Sequence, residues 1–161
     1  MTNPNGSGEE RALRADGLPV FEGEPETGYI QLFASVGGGS RPVEGVTGLI
    51  TRNIPGSEDP VLLYSLVTDR SGKTQVVPVP APPASLSTNP DNAHPYATYD
   101  VHFLKPGYNV LRVQDAQVFA GITSLITVEM IPASDPSVPQ PTIITTVVPP
   151  DSLTGSQGGT P

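Results

Sequence analysis

The stretch YATYDVHFLKPGYNVLRVQDA, residues 96–116, has the pattern of two β-strands joined by a tight turn. Apolar and polar residues alternate in its first half, which is typical of a strand buried on one side. One face carries Ala97, Tyr99, Val101 and Phe103, and the other carries Thr98, Asp100 and His102. In the segment 105–108, Pro106 and Gly107 occupy the central positions of a type II turn, where Gly supplies a positive φ.

Five more runs rich in β-branched and aromatic residues lie around this hairpin, at 29–36, 46–54, 61–68, 74–80 and 122–131. Gly, Pro, Asp and Ser separate them, and none shows a sustained helical period. Seven short strands predict an all-β fold, a seven-stranded antiparallel Greek-key β-sandwich of the transthyretin-like or immunoglobulin-like type. Pro78 and Pro80 have no N–H for a ladder, so the run 74–80 is expected at a sheet edge.

Composition divides the chain into three parts. Residues 1–27 are polar and are expected to form a flexible arm with an apolar kernel at Leu18, Val20 and Phe21. Residues 28–132 hold the sandwich, and residues 133–161 form a proline-rich C-terminal arm. The arm contains a strongly β-prone kernel, Thr142, Ile143, Ile144, Thr145, Thr146, Val147 and Val148. Such a segment is expected to pair with a sheet edge, of its own or of a neighbouring chain, and it is the candidate assembly strand.

Charge and Cys content exclude several partners and sites. The 161 residues carry a formal net charge of −8 and include no Cys. An acidic surface repels phosphate backbones, so nucleic acid is not expected as a partner. Without Cys there is no disulfide or thiolate metal site. No apolar run approaches the ~18 residues of a membrane span. The N-terminus lacks a basic region followed by an apolar run, so no classical signal peptide is expected.

The motifs of catalysis are incomplete. Residues 72–74, GKT, match the end of a phosphate-binding loop, but the motif requires Gly where Val67 stands. It also requires a following helix, which the prolines after Thr74 forbid. The two His residues, His94 and His102, are too few for a typical catalytic zinc site. The chain is therefore not expected to be an enzyme or to hold a cofactor or metal.

One connection is long enough to suggest binding. The segment APPASLSTNPDNAHP, residues 81–95, has no strand pattern, and long loops in compact domains are often functional. Asn89, Asp91, His94 and the adjacent Tyr96 form the candidate ligand loop.

Three motifs resemble those of carboxypeptidase-regulatory-like, transthyretin-like sandwich modules. They are P-V-x-G-V at 42–46, T-D-x-x-G-x-T at 68–74 and V-x-x-x-x-P-G-Y at 101–108. Residues 80–82, 95–100 and 118–123 are similar to a module of clostridial spore-associated cortex-lytic and peptidoglycan-binding proteins. The resemblance implies a non-catalytic scaffold or targeting role.

Two functions are therefore expected as alternatives. The first is a structural or interaction module of a bacterial surface, spore or filament assembly, in which a terminal arm adds a strand to a neighbouring subunit. Its partners would be further copies of the chain or another bacterial surface protein, met after synthesis in the cytoplasm or mother cell. The alternative is a carbohydrate- or peptidoglycan-binding module, or an accessory subunit of a cell-wall hydrolase.

Overall fold

The computed structural model describes residues 12–88, 95–134 and 143–147. These residues contain nine strands and a short 3₁₀ turn at Ala84–Thr88. The strands are β1 (Glu26–Val36), β2 (Arg41–Pro42), β3 (Thr47–Arg52), β4 (Val61–Val67), β5 (Val77–Ala81), β6 (Ala97–Leu104), β7 (Val110–Val118), β8 (Thr123–Glu129) and β9 (Ile143–Val147). Each of the seven predicted runs overlaps one strand, β2 is an addition, and β9 falls in the β-prone kernel.

The described strands form two sheets, and this confirms the predicted β-sandwich. In the first sheet β1 is central, with β5 and β2 along one side and β8 along the other. The second sheet has the order β4-β3-β6-β7-β9. The inner faces of both sheets bury one apolar cluster, whose largest fully hidden members include Tyr99, Phe103, Ile30, Leu32 and Ile50. Burial of one such side chain stabilises the fold by about 1.5–3 kcal/mol.

Two pairings among these strands depart from the expected antiparallel arrangement. β8 runs parallel to β1, and β9 runs parallel to β7. Parallel neighbours cannot be joined by a tight hairpin, so each of these pairs brings together strands that are distant in the sequence. Alternation of apolar residues specifies the buried face of a strand but not the direction of its partner, and for this reason the sequence did not predict the parallel pairs.

The T-D-x-x-G-x-T turn after β4 supplies side-chain oxygens where backbone partners are missing. Thr68 Oγ1 accepts the N–H of Val46 at 2.9 Å and donates to the carbonyl of Val43 at 2.7 Å. Thr74 Oγ1 accepts the N–H of Leu32 at 3.0 Å. Both threonines are buried. Since a buried N–H without a partner costs about 1–3 kcal/mol, these two hydroxyls hold β1 and β3 in place.

Asp69 and Gly72 shape the same turn. The Asp69 carboxylate accepts the hydroxyl of Ser71 and the N–H of Lys73, and these bonds lower the pKa of Asp69. Gly72 has a φ of +78°, and a Cβ there would lie 2.5 Å from the carbonyl oxygen of Ala34. The glycine is required both for its backbone conformation and for the close approach of β1.

Substitution of Gly72 tests this close approach. Gly107 is the matched control, because its φ is +87° and an added Cβ would meet nothing within 4 Å. Gly107→Ala is expected to lower the free energy of unfolding by about 1–2 kcal/mol through its left-handed backbone alone. Gly72→Ala is expected to lower it by a further ~1–3 kcal/mol, because the chain must move away from Ala34. Equal losses for the two variants in urea unfolding would contradict the steric argument.

The apolar kernel of the N-terminal arm docks on the sandwich. Leu18 and Phe21 are buried, whereas Val20, the third residue of the predicted kernel, is 44% exposed. Arg14 joins this segment to β1 by donating to the carbonyl of Glu26 at 2.8 Å. The division between arm and sandwich at residue 27 stays a prediction, and residues 1–11 lie outside the described part of the chain.

Arg52, at the end of β3, holds the segment before β1 against the sandwich through contacts with Phe21 and Glu24. Its guanidinium lies between two rings, with Cζ 4.6 Å from the centroid of Phe21 and 5.0 Å from that of Tyr99. Both terminal nitrogens donate to the carboxylate of Glu24. The side chains of Arg52 and Glu24 are only 14% and 10% exposed, so both charges are largely shielded from water.

Removal of Arg52 is expected to be strongly destabilising. Arg52→Met leaves the Glu24 carboxylate buried without its partner, a change that costs about 3–5 kcal/mol. Arg41→Met, at an exposed position of β2, is the control and is expected to stay within about 0.5 kcal/mol of the wild type. The double variant Glu24→Gln/Arg52→Met should recover part of the loss. The account of this ion pair fails if calorimetry or urea unfolding shows Arg52→Met to be as stable as Arg41→Met.

Candidate functional site

The candidate assembly strand is the outermost described strand of the second sheet. Ile143–Val147 pairs in parallel with β7, in a register that runs from Val110 opposite Ile143 to Gln114 opposite Val147. Thr142 and Val148, at the two ends of the predicted kernel, lie outside the described residues. The sequence left open whether the kernel pairs with its own sheet or with that of a neighbour. In this single chain it occupies its own β7 edge.

Asp100 on β6 fixes the shape of β7 beside β9. Its buried carboxylate accepts Nη2 of Arg112 at 2.7 Å and the N–H of Asp115 at 3.0 Å. Asp115 has a φ of +59°, and the β6–β7 register shifts at this level, so β7 bulges there. Bulges bend a strand and end regular pairing. The bulge directly follows Gln114, which pairs with Val147, the last described residue of β9.

His102 lies across from Arg112 in the β6–β7 register. Partial burial lowers the pKa of His102, the positive charge of Arg112 lowers it further, and Asp100 acts in the opposite direction. Both carboxylate oxygens of Asp100 accept hydrogen bonds from β7. The carboxylate therefore stabilises the bulge of β7 and is not presented to a substrate.

The candidate ligand loop is described only at its end. Tyr96 is half-buried, and its ring centroid lies 5.6 Å from that of Phe119, with the planes tilted by 57°. Asn89, Asp91 and His94 lie outside the described residues. Whether these three side chains come together with Tyr96 stays a prediction.

The β5 edge of the first sheet is closed by two tyrosines from the opposite sheet. β5 pairs with β1 alone among the described strands, as Pro78 and Pro80 predicted. The hydroxyl of Tyr64 donates to the carbonyl of Pro78 at 2.7 Å, and that of Tyr99 donates to the carbonyl of Pro80 at 2.6 Å. Burial raises the pKa of both phenols, so each keeps the proton that it donates. The outer edge of β5 therefore lacks N–H donors at its two prolines, and the carbonyl oxygens of these prolines are hydrogen-bonded to tyrosine hydroxyls.

Sequence reasoning missed several residues that shape the edges, namely Glu24, Arg52, Tyr64, Asp100, Arg112 and Asp115. Asp is rare inside strands, so Asp100 in the middle of β6 carried a signal of a special role. Asp is also one of the residues that tolerate a positive φ, which marks Asp115 as a candidate bulge position. The Arg52–Glu24 pair has no local signal, because the partners are 28 residues apart.

The described residues contain neither a metal-site candidate nor a membrane-spanning helix. Within residues 12–88, 95–134 and 143–147, no group of three or more His, Cys, Asp and Glu side chains could hold a metal ion. In the same part of the chain, no helix is long and apolar enough to cross a membrane.

No protein-family model matches the chain, and no curated protein sequence is detectably similar to it. Among solved structures, the TIE protein of Bacillus anthracis is 12% identical, with a TM-score of 0.41, over 67% of this chain and 17% of that one. The minor pilin of Streptococcus agalactiae is 19% identical, with a TM-score of 0.42, over 71% and 48%. Catechol 1,2-dioxygenase of Pseudomonas arvilla C-1 is 11% identical, with a TM-score of 0.46, over 73% and 55%. The chain thus spans at most about half the length of these three proteins, and likenesses this distant carry no argument about its function.

Proposed function

We propose that this protein is a non-catalytic interaction module that assembles with further copies of itself, or with another bacterial surface protein, by exchange of β9. The observation that carries the proposal is the attachment of β9 by a single ladder at the outer edge of a sheet. The same hydrogen bonds form whether β9 comes from the same chain or from a neighbour. Exchange of such a terminal element therefore changes the connectivity and leaves the bonding intact.

The length of the connection sets the geometry of exchange. Residues 135–142 join the described end of the sandwich at Ser134 to β9. Eight residues reach at most about 30 Å, because an extended chain spans ~3.3–3.6 Å per residue. An acceptor β7 edge must therefore lie within about 30 Å of Ser134, which is the distance between neighbouring domains in contact.

We propose in addition that the chain is a carboxypeptidase-regulatory-like module and that it acts at a bacterial surface or spore. The residues that carry the resemblance support a scaffold, because Thr68 and Thr74 are both buried and bonded to backbone groups of the sandwich. The location is supported by the sequence resemblance alone.

Cysteine pairing tests the exchange, because the chain has no Cys of its own. Gln114 lies opposite Val147 in the β7–β9 ladder, a spacing that a disulfide can bridge. Chains with only Gln114→Cys are unfolded and refolded together with chains that carry only Val147→Cys, and the mixture is oxidised. Exchange gives a disulfide-linked heterodimer on a non-reducing gel.

Two further samples make this result decisive. Val147→Cys mixed with Ser65→Cys, an exposed position on β4 at the far side of the same sheet, should give no dimer. The double variant Gln114→Cys/Val147→Cys reports pairing within one chain. If the double variant closes its internal disulfide while the mixed single variants stay monomeric, exchange of β9 does not occur.

The second candidate function, carbohydrate or peptidoglycan binding or an accessory role beside a cell-wall hydrolase, is supported by one observation. Tyr96 and Phe119 form a half-buried aromatic pair at the end of the candidate ligand loop, and aromatic side chains commonly line ligand sites. This function predicts that the protein is retained on purified peptidoglycan at low salt. Tyr96→Ala should abolish the retention, whereas Tyr108→Ala should not. A wild-type protein that is not retained would contradict it.

A further inference from the structure

β8 is an edge strand of the first sheet, because among the described strands it pairs with β1 alone. We propose that β8 pairs antiparallel with β8 of a second copy about a two-fold axis at Ile126, so that two four-stranded sheets become one. This inference rests on the proposed function, because it also requires that copies of the chain associate. It uses the first sheet, whereas β9 belongs to the second sheet.

Hydrogen bonds at the two ends of β8 show which backbone groups face the free edge. The carbonyl of Ile122 accepts the N–H of Tyr29, and the N–H of Met130 donates to Ser35. Even-numbered residues of this segment thus bond to β1, and backbone groups alternate in direction along a strand. The odd-numbered residues point their N–H and C=O groups away from β1, and these are Thr123, Leu125, Thr127 and Glu129. Across residues 12–88 and 95–134, no hydrogen bond engages these outward groups.

β8 lacks the features that protect the other described edges. The β5 edge carries Pro78 and Pro80 and is closed by tyrosine hydroxyls. β9 covers residues 110–114 of β7, and the β3–β4 pairing is interrupted by a register shift after Ile50. By contrast, β8 has seven residues with no Pro, Lys or Arg and pairs without a register shift along its whole length. A long regular edge of this kind is a template for another strand.

Apolar side chains flank this edge on the outer face of the sheet. Leu125 is 50% exposed. Tyr29, the neighbour of Thr123 on β1, is 37% exposed. A strand placed against β8 would remove part of this apolar surface from water, which adds to the backbone hydrogen bonds.

A second copy of β8 can place its outward N–H and C=O groups opposite those of the first. About a two-fold axis at Ile126, Thr123 lies opposite Glu129 and Leu125 lies opposite Thr127. Every outward-facing residue then meets another outward-facing residue, so that about eight hydrogen bonds form between the chains. All seven residues of β8 take part in this register, and any shift leaves some of them unpaired.

Charge favours the same orientation. Glu129 is the one charged residue of β8, and its carboxylate accepts the N–H of Gly38 at 2.5 Å. Antiparallel pairing sets it opposite Thr123, whereas parallel pairing in register would set the two Glu129 side chains side by side, which is destabilising. Each copy carries a net charge of −8, so the dimer should become stronger as salt screens the repulsion.

Proline substitution tests the edge without breaking the fold. The N–H of Thr127 faces away from β1, and Pro is tolerated in a strand where its missing N–H faces solvent. Such a small interface predicts a dissociation constant on the order of 10–100 µM, so sedimentation velocity is recorded from about 5 to about 500 µM. All samples carry the internal Gln114→Cys/Val147→Cys disulfide, which blocks β9 exchange. In this background the full-length chain with wild-type β8 should show a monomer–dimer equilibrium that shifts toward dimer at higher salt. Thr127→Pro should remain monomeric throughout.

Two variants control this experiment. Leu125→Lys places a charge on the proposed interface and leaves the β1 ladder intact, so it should also be monomeric even if Thr127→Pro folds poorly. Leu62→Lys makes the same kind of change at a 56%-exposed residue of β4 and should dimerise like the wild type. The proposal is overturned if the wild type stays monomeric, if Leu125→Lys still dimerises, or if Leu62→Lys loses the dimer.

Disulfide formation then tests the register. A mixture of Leu125→Cys chains with Thr127→Cys chains should cross-link after oxidation at least ~5-fold more than Leu125→Cys chains alone, because residue 125 faces residue 127 and residues facing each other lie closest. Equal cross-linking would overturn the register. This reaction does not involve β9. A β8 cross-link without the Gln114–Val147 cross-link would refute β9 exchange alone, and the opposite result would refute the β8 dimer alone.

Discussion

An open β-sheet ends in two strands whose outer N–H and C=O groups have no partner within the sheet, and the structure of this protein depends on how those groups are satisfied. On one edge of the first sheet, Pro78 and Pro80 remove donors, and the hydroxyls of Tyr64 and Tyr99 occupy the carbonyls that remain. On one edge of the second sheet, β9 pairs with residues 110–114 of β7. The β8 edge has neither device, and this difference between edges is the basis for proposing that the protein assembles through them.

Tyr99 contacts the apolar core, the β5 edge and Arg52 at the same time. Its ring is fully buried in the core, its hydroxyl donates to Pro80, and the same hydroxyl accepts from Arg52. Arg52 in turn holds the segment before β1 through Glu24 and Phe21. The core, the β5 edge and the N-terminal segment therefore share one chain of contacts, and a change at Tyr99 is expected to weaken all three.

Local patterns were sufficient to predict most of the fold. Alternation and turn chemistry predicted seven strands and the sandwich, because both depend on residues close in sequence. The missing N–H groups of Pro78 and Pro80 correctly placed β5 at an edge. The sequence did not predict the β1–β8 pair, the burial of Asp100 or the Arg52–Glu24 contact, because each depends on which distant segments meet. The pairing partner of the β-prone kernel could not be predicted for the same reason. Its composition indicates that it pairs with a strand but does not indicate which one.

Amide hydrogen exchange, followed as a function of protein concentration, tests the role of the open edge most directly. Exchange protection reports whether an N–H is hydrogen-bonded in the populated state. In dilute protein, the amides of Leu125 and Thr127 are expected to exchange rapidly, while those of Ser124 and Ile126, which bond to β1, are protected. At high concentration the amides of Leu125 and Thr127 should become protected as well. Protection of these two amides already in dilute monomer, or rapid exchange at every concentration, would contradict the account.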